Sequence, residues 1–323
     1  MRVSSIRVLA MDLKTQPASK VTELGFSPGQ GVRWGDYIQY RPIYRPSFFQ
    51  RIYRYHSRKP CVFWRTAHDV GAGHGIVSST LADKFHHVVV SDPNKGYGEI
   101  ARQLLVEKSG LPESKFRFLQ EGAEESSVES ETVDLIAACE CMQWTDTEAA
   151  VKEFARQLKP GGTLVMTYYT RPLIINNEPA QAIWKSLFDA YSTRASGDLL
   201  DRAFQVLNSG FDSIALPAQH WETVERVYIN ARQGISSFGL DGRAREDRVA
   251  EGEERIWIHD DPDWAEEQGV EWLKKYFGTW VPPLPEAEVQ GLWDELSRIT
   301  DGAKVKLETP IVLVFATRKA EEE

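Results

Sequence analysis

A short glycine-rich segment, residues 69–75, constrains this chain more than any other part of it. It follows a predicted strand over 66–70 and precedes a predicted amphipathic helix over 76–85. A second apolar, β-branched strand over 87–91 then ends at Asp92. A strand, a glycine turn, a helix and a strand in this order are typical of an open α/β sheet. Because ligands of such sheets bind outside the carboxyl ends of the strands, the sequence predicts a binding crevice beside the glycines.

The residues around this crevice indicate a nucleoside ligand that carries a positive charge. Gly71 and Gly73 lack side chains where a ligand must approach the backbone closely. Asp92 offers a carboxylate to the hydroxyls of a ribose. Asp69, just before the glycines, attracts an ammonium group and repels a pyrophosphate. The spacing Gly71-x-Gly73-x-Gly75 also differs from the dinucleotide fingerprint G-x-G-x-x-G.

The Asp-x-Gly-x-Gly-x-Gly segment resembles motif I of the class I S-adenosylmethionine-dependent methyltransferases. The chain over 60–170 is similar to the same family, with a third strand at 116–119, an apolar strand at 133–139 and a helix end, turn and strand at 158–165. The resemblance implies an α/β fold. We expect a Rossmann-like, seven-stranded, mostly parallel sheet with helices on both faces and an α-rich insertion or lid.

The same resemblance implies the cofactor S-adenosyl-L-methionine, with S-adenosyl-L-homocysteine as the product. Asp69 and the glycine loop would hold the methionyl end, Asp92 the ribose, and Ala123 with Glu124 the adenine. The residues that the resemblance assigns to cofactor binding are Tyr40, Arg45, Asp69, Gly71, Ala72, Gly73, Asp92, Pro93, Ala123, Glu124 and Glu140.

Two flanking segments are similar to the trans-aconitate methyltransferase branch of that family. One is the aromatic and arginine-rich stretch at 40–49, and the other is Glu-Cys-Met-Gln-Trp-Thr-Asp at 140–146. By this likeness, Tyr40 and Arg45 would help to enclose the cofactor or the substrate. Trp144 would border the transferred methyl group.

Gln143 departs from that branch, which has histidine before the tryptophan. A glutamine can orient an acceptor by hydrogen bonding but cannot act as a general base. It therefore favours an acceptor that is already anionic, such as a carboxylate, or a stabilised enolate or phenolate. Two alternatives stay open: Gln143 bonds a backbone group at the strand end, or methylation is lost. The residues predicted at the methyl-transfer site are Gln143, Trp144 and Tyr169.

The chain beyond the fifth strand is expected to select the substrate. We divide the chain into an N-terminal arm at 1–36, a cofactor-binding core at 37–171, an insertion or lid at 172–303 with one core strand at about 222–229, and a final core strand with its tail at 304–323. The candidate substrate-binding residues are Tyr168, Arg171 and Trp280. Arg171, Arg45 or Arg33 would pair with a substrate carboxylate through the two-pronged guanidinium.

Two features of this half have alternative interpretations. Four tryptophans, at 257, 264, 272 and 280, are predicted to crowd one region, either as an apolar lid or as ordinary core, and core is favoured. The segment 234–254 is rich in glycine and mixed charges, which predicts a solvated, mobile loop or a gate over the pocket.

Composition limits the possible partners. The net charge of −9 disfavours a nucleic-acid surface, because phosphate binding needs clustered lysine and arginine. Three cysteines are too few and too poorly spaced for a disulfide framework or a zinc site, so no metal is expected. No apolar run is long enough to span a membrane, and the cytoplasm is the expected compartment. The oligomeric state is left undetermined.

The function predicted from these residues is transfer of a methyl group to a small-molecule acceptor, with O-methylation of a carboxylate or an acidic hydroxyl. The aromatic second half suggests a hydrophobic secondary metabolite as that acceptor. A first alternative is a protein that binds the cofactor but guides a cyclisation or elimination. A second alternative is a regulatory pseudoenzyme, against which the retained Asp69, Asp92 and glycines argue.

Overall fold

The computed structural model describes residues 34–59 and 61–320. Its strands are β1 (Thr66–Val70), β2 (His87–Ser91), β3 (Phe116–Leu119), β4 (Val133–Cys139), β5 (Leu158–Tyr169), β6 (Leu173–Ile174), β7 (Trp221–Ile229), β8 (Glu254–Ile258), β9 (Ala265–Gln268), β10 (Val305–Glu308) and β11 (Ile311–Arg318). Its α-helices are α1 (Trp34–Tyr40), α2 (Pro46–His56), α3 (Ile76–Leu81), α4 (Tyr97–Arg102), α5 (Thr147–Gln157), α6 (Glu178–Arg194), α7 (Asp198–Asn208), α8 (Val270–Phe277) and α9 (Gln290–Thr300). No helix within these residues combines the length and the apolar character needed to cross a lipid bilayer.

The main sheet has eight strands in the order β3-β2-β1-β4-β5-β11-β7-β8. Strands β1 to β5 run parallel to one another. Strand β11 is antiparallel to both β5 and β7, and β8 pairs in parallel with β7 at the edge. This is the predicted Rossmann-like, mostly parallel α/β sheet, with one strand more than the seven expected. The last strand, β11, thus lies between β5 and β7.

Burial on both faces of the sheet explains why β4 is almost entirely apolar, with Asp134 as its one charged residue, since all seven of its residues are buried. On one face, Phe154 of α5 and Val206 of α7 contribute to a core with β4 and β5. On the other face, Phe48 of α2 and Leu81 of α3 pack into a second core with β1 and β2. Helices therefore cover both faces, and the carboxyl ends of the parallel strands are left for a site.

Two strand predictions need correction. The final core strand predicted within 304–323 is two strands in different sheets, because β10 pairs with β6 and β9 whereas β11 lies in the main sheet. The break falls at Thr309 and Pro310, and proline has no N–H to continue a ladder. Strand β8 was not predicted, because its residues follow a charged segment and include Glu254 and Arg255.

The insertion forms a third core of its own. Helices α6, α8 and α9 pack with the small sheet β6-β10-β9 around Trp184 and Trp293, which are 0% and 1% exposed.

The prediction that four tryptophans crowd one region is wrong. Trp272 and Trp280 belong to this third core, Trp264 packs on Tyr44 and Phe48, and Trp257 stacks on Tyr228 with ring centroids 4.3 Å apart. The favoured interpretation as core holds for the buried Trp264 and Trp280.

The charged segment predicted as a solvated loop is anchored at several points. Phe238 and Leu240 are buried at 0% and 3% exposure. Glu253 pairs with the fully buried guanidinium of Arg226, whose Nε donates to its Oε2 at 2.6 Å. Arg248 forms an ion pair with Glu148 on α5. These contacts fasten the segment to the sheet and to α5.

Candidate functional site

The carboxyl ends of β1, β2, β4 and β5 open into one cavity. Asp69, Asp92, Glu140 and Tyr169 line it from these four strand ends, and Tyr37 lines it from α1. The space enclosed, including its mouth to the solvent, is about 1220 Å³. The topology thus produces the crevice that the sequence predicts.

The glycine loop needs its glycines for packing as well as for conformation. Gly71, Gly73 and Gly75 have φ of +63°, +53° and +81°, a region that side-chain-bearing residues rarely adopt. A Cβ on Gly71 would lie 2.4 Å from the Cβ of Cys141, whose thiol donates to the carbonyl of Val70 at 3.3 Å. The loop after β1 and the loop after β4 are therefore in direct contact, which closes one wall of the cavity.

Asp92 is held by three donors. The backbone N–H of Gly73 donates to its Oδ2 at 3.0 Å, and the backbone and side-chain nitrogens of Asn94 donate to its Oδ1 at 2.9 and 3.1 Å. Burial raises the pKa of Asp92 to about 6, and the bonds from Asn94 and Gly73 oppose that rise. The carboxylate is thereby fixed in orientation at the end of β2.

Asp69 is the acid at the start of the glycine loop. It is buried at 1% exposure, and the hydroxyl of Ser78 on α3 donates to its Oδ2 at 2.5 Å. Burial raises the pKa of Asp69 to about 7, against the effect of the bond from Ser78. A cationic group near Asp69 would favour its ionised form.

Glu140 follows β4 with a φ of +59°, a left-handed conformation that is unusual outside glycine. The backbone N–H of Tyr169 donates to its Oε1 at 2.6 Å, and Gln143 Nε2 donates to its backbone carbonyl at 2.9 Å. Burial raises the pKa of Glu140 to about 8, while the bond from Tyr169 and the charge of Arg41 lower it. The buried carboxyl groups of Asp69 and Asp92 and the partly exposed Glu140 therefore line one cavity.

Arg41 is a buried cation at the same cavity, with 9% of its surface exposed. Its Nε donates to Thr279 Oγ1 at 2.8 Å, and its Nη2 donates to the carbonyl of the same residue at 3.2 Å. The guanidinium lies 4.5 Å from the ring centroid of Trp280 and 5.3 Å from that of Tyr37. Stacking on aromatic rings and bonds to an uncharged threonine hold the cation in place. Its charge is not neutralised by these partners.

Eleven of the residues predicted at the site line this cavity. They are Asp69, Gly71, Ala72, Gly73, Asp92, Pro93, Ala123, Glu124, Glu140, Trp144 and Tyr169. Glu124 also accepts a hydrogen bond from the backbone N–H of Asp146 at 2.9 Å, which links the predicted adenine region to the loop that carries Trp144.

Among the described residues, three predicted for the upstream and post-β4 segments lie outside the lining. Tyr40 packs edge-on against Trp272 of the third core, with ring centroids 6.3 Å apart. Arg45 is the extended residue before α2 and is partly exposed. Gln143 turns its amide back to the carbonyl of Glu140, which matches the alternative of a backbone hydrogen bond. Arg33 lies outside the described residues.

The three predicted substrate residues also lie outside the lining. Tyr168 alternates with Tyr169 along β5, so it faces the other side of the sheet and packs on Phe211 and Phe238. Arg171 donates to the carbonyl of Gly239 at 2.8 Å. Trp280 lies beneath the guanidinium of Arg41 and contributes to the third core.

Tyr37, Arg41 and Tyr44 are among the cavity residues that sequence reasoning missed. Tyr37 lies in α1, whereas Arg41 and Tyr44 follow the end of that helix at Tyr40. The resemblance assigned Tyr40 to the site instead.

Known proteins share this architecture. Residues 68–166 match the model of a methyltransferase domain. The methyltransferase ptaI of Pestalotiopsis fici is 30% identical over 347 residues, which cover 96% of this chain and all of that protein. The methyltransferase cfoB of Aspergillus candidus is 29% identical over 322 residues, covering 93% of this chain and 99% of the relative.

A solved structure of a proposed type II methyltransferase from Anaeromyxobacter dehalogenans has the same fold. Its TM-score is 0.55 at 16% identity, and the match covers 85% of this chain and 97% of that one. The names of the two relatives specify no acceptor, so the trans-aconitate branch stays a prediction. The full-length similarity, the matched domain and the shared fold establish that this chain belongs to the class I S-adenosylmethionine-dependent methyltransferases.

Proposed function

We propose that the cavity binds S-adenosyl-L-methionine and that the protein transfers its methyl group to an acidic oxygen, a carboxylate or an acidic hydroxyl, of a small-molecule metabolite. The observation that carries this proposal is the convergence of Asp69, the glycine loop, Asp92 and the cation of Arg41 on one cavity. The acids suit a cationic nucleoside cofactor, and the arginine suits an acceptor that is, or becomes, anionic.

The proposed cofactor contacts follow from hydrogen-bonding capacity. A carboxylate has about four lone-pair positions, and Asp92 uses three of them on Gly73 and Asn94. The remaining position is available to a ribose hydroxyl. The ammonium of the methionyl end would lie near Asp69 and the backbone of the glycine loop, and Ala123 with Glu124 would border the adenine.

The proposed acceptor site lies on the side of the cavity formed by α1 and β5. Tyr37, Tyr44 and Tyr169 present aromatic surface there, beside Arg41. Flat aromatic walls with a few polar groups are typical of sites for apolar small molecules. This favours an aromatic or otherwise hydrophobic metabolite with an acidic oxygen over a small, strongly hydrated acid.

The reaction asks mainly for alignment. When bound, the cofactor supplies a methyl group on a sulfonium, whose leaving group is neutral. Arg41 would orient the acceptor oxygen, and the aromatic side chains would exclude water. The backbone contact between Gly71 and Cys141 holds the cofactor loop at a fixed distance from the loop that carries Trp144.

Arg41→Lys tests the acceptor half of this proposal. Titration calorimetry with S-adenosyl-L-methionine is expected to give binding to the wild type and to the variant within about threefold, because lysine keeps the charge but loses the planar fork. With radiolabelled cofactor and a panel of aromatic acids and phenols, the variant is expected to show a KM for the acceptor raised about tenfold or more.

Arg54→Lys, an exposed position on α2, is the matched control and is expected to behave as the wild type. Absence of cofactor binding to the wild type would contradict the proposal. A variant that loses cofactor binding would instead assign Arg41 to the cofactor carboxylate.

A further inference from the structure

Glu140 occupies a position in the cavity that cofactor binding alone does not explain. Its left-handed backbone costs about 1–2 kcal/mol in a residue with a Cβ, and such conformations cluster at active sites. Three hydrogen bonds maintain it: its N–H donates to the carbonyl of Thr167 at 3.0 Å, its own carbonyl accepts from Gln143, and its Oε1 accepts from the N–H of Tyr169. The backbone is thus held so that the side chain enters the cavity.

The surroundings of the carboxyl group are those of an acceptor site. Tyr37, Tyr44 and Tyr169 line the same part of the cavity, and Arg41 interacts electrostatically with Glu140. The bond from Tyr169 engages one carboxyl oxygen, Oε1, at 2.6 Å. No donor within residues 34–59 and 61–320 is bonded to the second oxygen, Oε2, which leaves it available to accept a proton.

The balance of charge disfavours an acceptor that arrives as a carboxylate. Asp69, Asp92 and Glu140 all line the cavity, and Arg41 is the cation that faces them from α1. A carboxylate acceptor next to Glu140 would place two acids together, and like charges at close range cannot both ionise easily. A neutral hydroxyl meets no such repulsion.

We propose that Glu140 is the general base of the reaction and that the acceptor is therefore a neutral compound with an acidic hydroxyl, a phenol or an enol. This inference rests on the proposed methyltransferase function and selects between its two acceptor classes. As the bond from the acceptor oxygen to the methyl carbon forms and the sulfur–carbon bond breaks, the hydroxyl proton passes to Oε2. The products are the methyl ether, neutral S-adenosyl-L-homocysteine and protonated Glu140. Arg41 stabilises the partial negative charge on the oxygen during the transfer.

The ionisation of Glu140 suits this role. Burial raises its pKa to about 8, so its ionised form, which can act as a base, increases as the pH approaches 8. The bond from Tyr169 and the charge of Arg41, just after α1, oppose this rise. The charge of Glu140 in turn raises the pKa of the titratable groups that face it, which are Tyr37 of α1, Tyr44, Cys139 of β4, Cys141, Tyr168 and Tyr169 of β5, and Tyr276 of α8.

This assignment gives Gln143 a supporting role. Its amide does not line the cavity. It donates a hydrogen bond to the backbone carbonyl of Glu140 and so stabilises the left-handed backbone conformation of the proposed base. Gln143 cannot act as a general base, and Glu140, three residues earlier, takes that role in this proposal.

Glu140→Gln tests the inference with two probes of one ring system, β-naphthol and β-naphthoate, and radiolabelled S-adenosyl-L-methionine. The wild type is expected to methylate β-naphthol in preference, with a rate that rises with pH towards about pH 8. The variant is expected to lose about 100-fold or more in kcat and to lose this pH dependence, because general bases contribute about 10²–10⁴-fold. Its affinity for the cofactor is expected to stay within about threefold in calorimetry, since amide and acid are of similar size.

The outcomes separate this inference from the proposed function. Preferential methylation of β-naphthoate, or an unchanged kcat in Glu140→Gln, would overturn the assignment of the base but leave the methyltransferase function standing. Loss of cofactor binding in the variant would assign Glu140 to the cofactor. As a measurement that needs no turnover, the affinity of the complex with S-adenosyl-L-homocysteine for β-naphthol should change with pH around the pKa of Glu140 in the wild type but not in the variant. The exposed Glu129→Gln is the matched control.

Discussion

The Oδ2 atom of Asp92 accepts a hydrogen bond from the backbone N–H of Gly73 at 3.0 Å, which ties the end of β2 to the loop after β1. Asp92→Ala removes this link and the proposed ribose contact together. We expect cofactor binding to weaken by about 1–3 kcal/mol, the usual cost of leaving a partner of a charged hydrogen bond unpaired. Titration calorimetry with S-adenosyl-L-methionine measures the change.

Asp83→Ala, an exposed substitution of the same kind just beyond α3, is the control and should bind as the wild type does. Equal affinities for Asp92→Ala and the wild type would show that the ribose lies elsewhere.

Gly71→Ala and Gly110→Ala separate backbone strain from steric contact. Their φ angles are nearly equal, +63° and +66°, so both variants carry about 1–2 kcal/mol of strain. A Cβ at position 71 meets the Cβ of Cys141 at 2.4 Å, whereas one at position 110 meets no atom of the described chain within 4 Å. We expect Gly71→Ala to be less stable than Gly110→Ala by a further 1–3 kcal/mol or so, the usual cost of overpacking.

Urea unfolding of both variants provides the comparison. Two variants of equal stability would mean that the loop after β4 moves away from Gly71 at no cost.

The raised pKa of Asp69 makes the stability of the fold depend on pH, and the variant Asp69→Asn tests this dependence. Burial raises its pKa in the folded protein to about 7. Between the ordinary value of about 4 and this folded value, the folded state binds more protons than the unfolded state, so this contribution to stability is lost as pH rises. Asn cannot ionise and can still accept the hydrogen bond from Ser78. The stability of Asp69→Asn relative to the wild type should therefore increase with pH.

Both proteins are unfolded in urea at about pH 5 and about pH 8, on either side of the folded pKa. At each pH, the free energy of unfolding of Asp69→Asn is compared with that of the wild type. Comparing differences cancels the buried neutral histidines His56, His68 and His74, whose pKa values burial lowers to about 4. A difference that is independent of pH would mean that Asp69 titrates with an ordinary pKa.

The parts of the fold that sequence predicts well are those governed by local pattern. Strands β1 to β4 have the predicted bounds. The apolar runs of β2 and β4 are largely buried, as parallel strands covered on both faces require. The glycine loop and Asp92 were found for a similar reason, since their spacing along the chain fixes their meeting in space.

The parts that sequence missed depend on contacts between distant segments. Arg255 stands in β8 because Asp212, 43 residues earlier, accepts a hydrogen bond from its side chain at 2.9 Å. Arg41 is held at the cavity by its hydrogen bond to Thr279, which is 238 residues away in the sequence. The sequence pattern around Arg41 does not indicate this long-range contact. Glu140 was assigned to the cofactor by resemblance, but the backbone conformation that turns it into the cavity has no signature in the sequence.

Glu253 offers a test of how the charged segment is fastened. Its side chain is 4% exposed and accepts a hydrogen bond from Nε of Arg226, which is itself 0% exposed and donates further to the carbonyls of Phe211 and Ile214. Glu253→Ala leaves a buried cation with Asp212 3.8 Å away as its remaining acid. We expect a loss of about 3 kcal/mol, the lower end of the range for breaking a buried pair, because Asp212 compensates in part.

The double variant Arg226→Met with Glu253→Leu should lose less stability than Glu253→Ala alone, since no buried charge is then left without its partner. Glu251→Ala, exposed in the same segment, should change stability by less than about 0.5 kcal/mol. If Glu253→Ala is as mild as Glu251→Ala, the segment is a solvated loop in solution, as its composition predicts. A large loss together with faster proteolysis within 239–253 would establish that one buried ion pair holds the segment against β7.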